Sequence, residues 1–251
     1  MASRKRKIIR RVLGVFWLVV IAWLFFNMQS RGLGPAVLES SNSVYVANLS
    51  DAFIFTPASD TMRSGLIYYP GALVDPKAYA PMARQIAEAG FKTVLLKLPY
   101  RMAFTDSHQE NVFQQTIEYI HRDSSRNWIV GGHSRGGKLA SIFTEDHRNV
   151  LGGLLLVGTS HPREIDLSDL TMDVTKIYGS NDGLASEKEI NQFALNLPPA
   201  TNYIRIAGGN HRQFAYYGYQ LGDSSADITR KKQHDSMVDA ILEQLNRVQL
   251  N

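Results

Sequence analysis

The spacing of apolar and polar positions changes character several times along the chain. Residues 12–26, VLGVFWLVVIAWLFF, hold no charged or strongly polar side chain, which predicts a helix inserted in a membrane. Residues 29–43 contain two glycines, Pro35 and several serines and read as a linker. SVYVANL and AFIFTP then alternate, with β-branched and aromatic residues, and predict an antiparallel pair at a sheet edge. From Gly65 onward a buried strand, a loop and a helix recur. GLIYYP, KTVLLKLP, NWIVGGH, GGLLLVGT, DVTKIYGS and TNYIRIAGG are the strands. A helix after GALVDP ends at Gly90, a residue suited to a left-handed cap. NVFQQTIEYIHRD places Val112, Phe113, Ile117 and Ile120 at helical spacing, and a last helix aligns Met237, Val238, Ile241, Leu242 and Leu245. The expected fold class is α/β, a mostly parallel central sheet flanked by helices and preceded by a transmembrane helix. The expected division is 1–28 for the basic N-terminus and anchor, 29–43 for the linker and 44–251 for the globular domain.

Charge sharpens the reading of the N-terminus. The formal net charge is +4, yet Arg4, Lys5, Arg6, Lys7, Arg10 and Arg11 precede every acidic residue, and without them the chain is slightly acidic. The basic balance therefore gives no support to nucleic-acid binding by the folded domain. A basic start and an apolar run suit either a cleaved signal peptide or a retained anchor. Asn27 to Arg31 offer no small-x-small pair for cleavage, and Trp17 and Trp23 suit the membrane interfaces, so an anchor is favoured. The run is short for a hydrocarbon core, and Ile8, Ile9 and snorkelling arginines extend it. The positive-inside rule then predicts a single-pass protein of the cell membrane with a cytoplasmic N-terminus and an extracytoplasmic domain. The alternative is secretion after cleavage. Cysteine is absent, which excludes disulfides and thiolate zinc sites.

The candidate chemistry lies in WIVGGHSRGGKLA, residues 128–140. A strand runs into Gly132-His133-Ser134-Arg135-Gly136 and a helix follows, the setting of the G-x-S-x-G turn that lifts a serine hydroxyl above the carboxyl end of a sheet. Serine is a poor nucleophile without a base oriented by a third group. Asp182 follows one later strand in YGSNDG and His211 follows the next in GGNHRQF, giving the chain order Ser, Asp, His. Taken singly, Asp182 suits an ordinary Asn-Asp-Gly turn and His211 an ordinary loop. The backbone N–H of Arg135 is one candidate oxyanion donor, and that of Ala72, beside Gly71, is the other, with Leu73 next. His133 is expected to pack behind the serine, and Glu187 is a more distant alternative acid. His108, His121, His147, His161 and His234 receive no chemical role.

From about Gly65 to Leu245 the chain resembles the α/β-hydrolase superfamily. YYPGALVDPKAYAPMARQIAEAG, GGHSRGG, YGSNDG and GGNHRQFAYYGYQLGD are similar to a compact bacterial subgroup related to dienelactone hydrolases and carboxylesterases. The resemblance implies a Ser134, His211, Asp182 triad and acyl transfer on a small-molecule ester, with no metal or organic cofactor. Dienelactone hydrolases proper use a cysteine nucleophile, so their substrate does not carry over. Ser134 argues against the aspartate chemistry of epoxide hydrolases and dehalogenases. Acyltransferases, amidases and peptidases use the same acyl-enzyme and stay open, as does a membrane-tethered binding protein of this fold. Only HPREIDLSDLTMD separates two of the strands, which leaves no room for a large cap and predicts an open site. The expected walls are PYRMAFTDSHQEN and FAYYGYQLGD, whose aromatics, Tyr216 and Tyr217 among them, suit an apolar acyl or aryl group. Oligomeric state is not legible.

Overall fold

The computed structural model describes residues 2–250. Eight strands form a single sheet: β1 (Val44–Asn48), β2 (Ala52–Pro57), β3 (Ser64–Tyr69), β4 (Lys92–Leu96), β5 (Asn127–His133), β6 (Gly153–Val157), β7 (Asp173–Gly179) and β8 (Asn202–Ile206). Their order is β1-β2-β4-β3-β5-β6-β7-β8. β2 pairs antiparallel with β1 and β4, and every other pairing is parallel. The alternating segments thus lie at one edge, and the mainly apolar runs form the parallel body, with the half-exposed β8 at its other edge. Such runs need helices on both faces to bury alternate side chains.

That cover is present on each side. Leu66, Tyr68, Ile129, Leu155 and Ile177 pack with α2 (Ala80–Glu88) and α6 (Arg230–Leu250). Ile67, Tyr69, Val130, Leu154 and Leu156 pack with α3 (Asp106–Arg122) and α4 (Arg135–His147). α2 closes toward Gly90, whose φ of +99° supplies the left-handed stop. Thr105 caps α3 by accepting the His108 N–H, and α5 (Glu187–Gln192) opens on a capping box between Ser186 and Glu189. The two helical layers hold the sheet rigid, and its carboxyl edge carries the loops after β3, β4, β5, β7 and β8.

The N-terminal apolar run is α1 (Ala2–Asn27). Within Arg4–Asn27 an 18-residue window has a mean hydropathy of 2.1 and no buried residue, and the helix is long and apolar enough to cross a membrane. Residues read as linker run in contact with the domain. Met28 is buried, Ser30 forms a β-bridge with Tyr217, and Arg84 donates to the carbonyls of Ala36, Val37 and Glu39.

Candidate active site

Ser134 stands between β5 and α4 with φ 54° and ψ −116°. This is a left-handed conformation that a residue with a Cβ avoids unless its surroundings impose it. The imposing contacts are backbone against backbone. A Cβ on Gly132 would lie 2.4 Å from the Gly136 carbonyl carbon, and one on Gly136 would lie 2.0 Å from the Tyr69 oxygen. Neither glycine tolerates a side chain, and the turn is tied further by the Ser134 N–H donating to the Val157 carbonyl at 3.0 Å. The serine is therefore fixed at the centre of the sheet, between β3 and β6.

The loops after β7 and β8 bring Asp182 and His211 together. His211 Nδ1 lies 2.9 Å from Asp182 Oδ2 and 3.1 Å from Oδ1, and both side chains are buried. Asp182 Oδ1 also accepts the N–H groups of Leu184 and Ala185 at 2.8 and 2.7 Å. A buried carboxylate held by three donors keeps its position and fixes the imidazole with the proton on Nδ1, leaving a lone pair on Nε2. His211 Nε2 has no protein partner among the described residues. Ser134 and His211 line one cavity, but no hydrogen bond joins them in the structure; contacts of this kind tighten when substrate binds. Glu187, the alternative acid, points elsewhere: its carboxylate accepts from Arg205 at 2.7 Å.

Behind the pair lies a buried polar chain. The rings of His133 and His211 are 4.4 Å apart. His133 Nδ1 is 2.8 Å from the Tyr79 hydroxyl, which accepts the Gly71 N–H at 2.9 Å and so donates its own proton to the ring. Burial, reinforced by the neighbouring His211, holds the His133 pKa well below the ordinary histidine value, so this ring stays neutral and packs behind the serine. The loop after β3 is then largely committed. Gly71 donates to Tyr79, Leu73 to Arg101 and Val74 to Gly71, leaving the Ala72 N–H without an acceptor among the described residues. Arg135 opens α4, where backbone N–H groups have no intrahelical acceptor.

Two further positioning residues escape the sequence reading. Asp223 accepts the backbone N–H groups of His211 and Arg212 at 3.1 and 3.0 Å and approaches the Gly183 N–H at 3.4 Å. Gln233 of α6 pairs through both ends of its amide with the Asn210 backbone, at 2.6 and 2.9 Å. Gln233 shares the buried face of α6 with His234 and Gln244, so its polarity alone does not single it out. Asp223, in a loop of glycine, serine and aspartate, carries no signal either.

The cavity, about 320 Å³, corrects the expected walls. It is lined by the first turn of α4, by Leu184 and Ala185, and by Thr159, Ser160, His161 and Arg163 of the short loop after β6. Tyr217 is instead a core residue, and Tyr216 borders a different cavity beside α2. An irregular loop has no period from which its inward side can be read, which is why the aromatic expectation failed. The wall is polar and cationic. Lys138 pairs with Glu164 and Arg163 with Glu189, whereas Arg135 donates to the Ala103 carbonyl and has no carboxylate partner among the described residues. Lys176 is buried behind the wall with Nζ on the His161 carbonyl at 2.8 Å, and burial, then Arg163, bring its pKa down to about 7. His161 is lowered to about 4 by burial and nearby cations. Among the described residues no three His, Asp or Glu side chains converge as metal ligands.

Comparison with solved structures finds the same architecture at low identity. A soluble variant of monoglyceride lipase from Saccharomyces cerevisiae, in complex with a substrate analog, superposes with a TM-score of 0.60 at 11% identity, covering 84% of this chain and 97% of that one. Est1E from Butyrivibrio proteoclasticus gives 0.59 at 13%, covering 81% and 99%. XC6422 from Xanthomonas campestris, described as an α/β serine hydrolase without lid, gives 0.57 at 12%, covering 83% and 96%. These likenesses concern the fold. No curated protein matches the sequence. The model of the alpha/beta hydrolase family matches residues 65–235, a stretch that contains the serine turn and both loops of the buried Asp-His pair. With most of its length inside that match and the sheet order described above, the chain belongs to the alpha/beta hydrolase family.

Proposed function

We propose that the protein is a serine hydrolase that cleaves carboxylic esters through an acyl-enzyme. The observation that carries this reading is the buried His211–Asp182 pair sharing a cavity with a serine held in a strained turn. In this mechanism His211 Nε2 takes the proton of Ser134 as Oγ attacks the ester carbonyl. Asp182 holds the imidazole and stabilises its charged form. The oxyanion is met by the N–H groups of Ala72 and Arg135, which have no protein acceptor among the described residues. The imidazolium then protonates the departing alcohol. Water, activated by the same histidine, attacks the acyl-enzyme, and Ser134 regains its proton as the acid leaves.

Substrate preference follows from the wall. Arg135 lines the cavity without a carboxylate partner among the described residues, which favours an ester bearing an anionic or strongly polar group. We also read α1 as a retained single-pass anchor with a cytoplasmic N-terminus, supported by its hydropathy and the six basic residues in its first turns. Hydrolysis of matched neutral and carboxylate-bearing short-chain esters tests the activity and the preference together. Turnover should vanish in Ser134→Ala, and Arg135→Ala, which keeps the backbone N–H, should lose roughly tenfold on the anionic ester with little change on the neutral one. Turnover no greater than that of Ser134→Ala would remove the esterase reading.

A further inference from the structure

The end of α1 is built into the catalytic edge of the domain. The Asn27 carbonyl accepts the Gly218 N–H at 2.7 Å and its side-chain oxygen accepts the Tyr219 N–H at 3.1 Å. The Met28 carbonyl accepts the Asp75 N–H at 2.8 Å, and Arg101 donates to Gln29 at 3.2 Å. Trp23 packs on Tyr219 with ring centroids 5.7 Å apart, and Arg101 lies over Phe25. Residues 23–29 therefore touch three loops, those following β3, β4 and β8. These loops leave the same edge of the sheet as Ser134, and the β3 and β8 loops carry Ala72 and His211.

The same loops expose an apolar rim. Leu73, Tyr100, Phe104, Tyr219 and Leu221 are all 45% or more exposed, whereas the other exposed apolar residues of the domain, Tyr45, Leu49, Val150, Leu195 and Leu250, are scattered over other elements. Residues 97–105 contain Lys97 and Arg101 and no acidic residue. Tyrosines and basic residues beside the end of an apolar helix are the composition of a membrane interface. The length leaves no slack. At ~1.5 Å per residue, Arg4–Asn27 spans about 36 Å, against roughly 30 Å of hydrocarbon. About one turn projects, and the buried Met28 follows at once.

We infer that the occupant of this rim is the lipid bilayer itself: the catalytic edge is held against the membrane surface by α1, and the site takes ester substrates resident in the bilayer. The inference rests on the proposed anchor and hydrolase readings and adds the orientation and the source of the substrate. A tether at any other edge would present the cavity to water. Docked as it is, α1 sets the rim at the level of the headgroups, so an amphiphilic ester need not leave the bilayer completely to reach Ser134.

The full chain in phosphatidylcholine vesicles gives the test. It has no cysteine, so Phe104→Cys, Leu221→Cys and, on the opposite edge, Asn149→Cys each carry one fluorophore. Labels at 104 and 221 should be quenched by spin-labelled lipid and shielded from aqueous iodide, and the label at 149 should behave in the opposite way. Equal iodide quenching at all three positions would overturn the orientation. So would shielding at 104 and 221 without lipid quenching, because a second copy or another protein would then cover the rim. Phe104→Ser with Leu221→Ser should lose roughly tenfold on a long-chain ester embedded in the vesicle, without change on a soluble short-chain ester. Equal effects on both esters would overturn the delivery claim. Depth quenching needs no catalysis. Failure of the esterase reading would leave the rim in lipid, and failure of this inference would leave esters cleaved with the rim in water.

Discussion

The Asp223 carboxylate accepts the backbone N–H of His211 at 3.1 Å, so the proposed base is held twice, by Asp182 through its ring and by Asp223 through its main chain. Asp223 does not touch the ring; it fixes the loop from which the ring projects and joins it to the loop of Asp182 near Gly183. Asp223→Ala is expected to lower kcat on the order of 10²-fold with little change in KM, because a small displacement of the base is costly in rate. Asp223→Asn keeps one acceptor and should recover most of that loss. Steady-state kinetics on a soluble ester checks both. A rise in KM alone would assign Asp223 to substrate binding.

Tyr79 does comparable work behind the serine. Its hydroxyl bridges the Gly71 N–H and His133 Nδ1 in a fully buried position. Tyr79→Phe leaves two buried polar groups without partners, at a cost of about 1–3 kcal/mol. Because Gly71 precedes the proposed donor Ala72, kcat should also fall by roughly tenfold. Denaturant unfolding and kcat measured on the same preparation check the pair of effects. Lost stability with unchanged kcat would confine Tyr79 to the core.

Lys176 predicts a pH dependence of stability. Burial lowers its folded-state pKa from 10.5 to about 7, so between those values the unfolded chain binds a proton that the folded chain does not. Its contribution to stability therefore rises with pH from about 7 toward the ordinary lysine value, and the penalty of the buried charge is complete below 7. Lys176→Met should melt several degrees higher than the wild type at pH 6, and the difference should shrink toward pH 10. Thermal unfolding across that range checks the sign. A constant difference would mean that Lys176 keeps its charge in the fold.

The parallel body was legible because strands buried on both faces are written as mainly apolar runs, and Ser134 because Gly132 and Gly136 mark where backbones must touch. Asp182 and His211 followed from their places at strand ends. Asp223, Tyr79 and the 158–163 wall were not legible. Each acts through a contact set by the tertiary fold, and nothing in a local pattern distinguishes an aspartate that accepts a distant N–H from one that closes a turn. The walls were misassigned for the same reason: aromatic composition at Tyr216 and Tyr217 says that the side chains will be buried, and the fold decides against what. The docking of α1 also lay beyond reach, since glycine, proline and serine after Phe26 read as slack, whereas Met28, Ser30 and Arg31 are bonded to the body or buried in it.

The central claim is that Ser134 is activated by His211 under the control of Asp182. Fluorophosphonate labelling of the folded protein, followed by mapping of the modified peptide, tests it most directly. The wild type should carry one adduct on Ser134, Ser134→Ala should carry none, and His211→Ala and Asp182→Asn should react on the order of 10³–10⁴ times more slowly. A folded wild type that resists the reagent, or that reacts as fast without His211, would contradict the account.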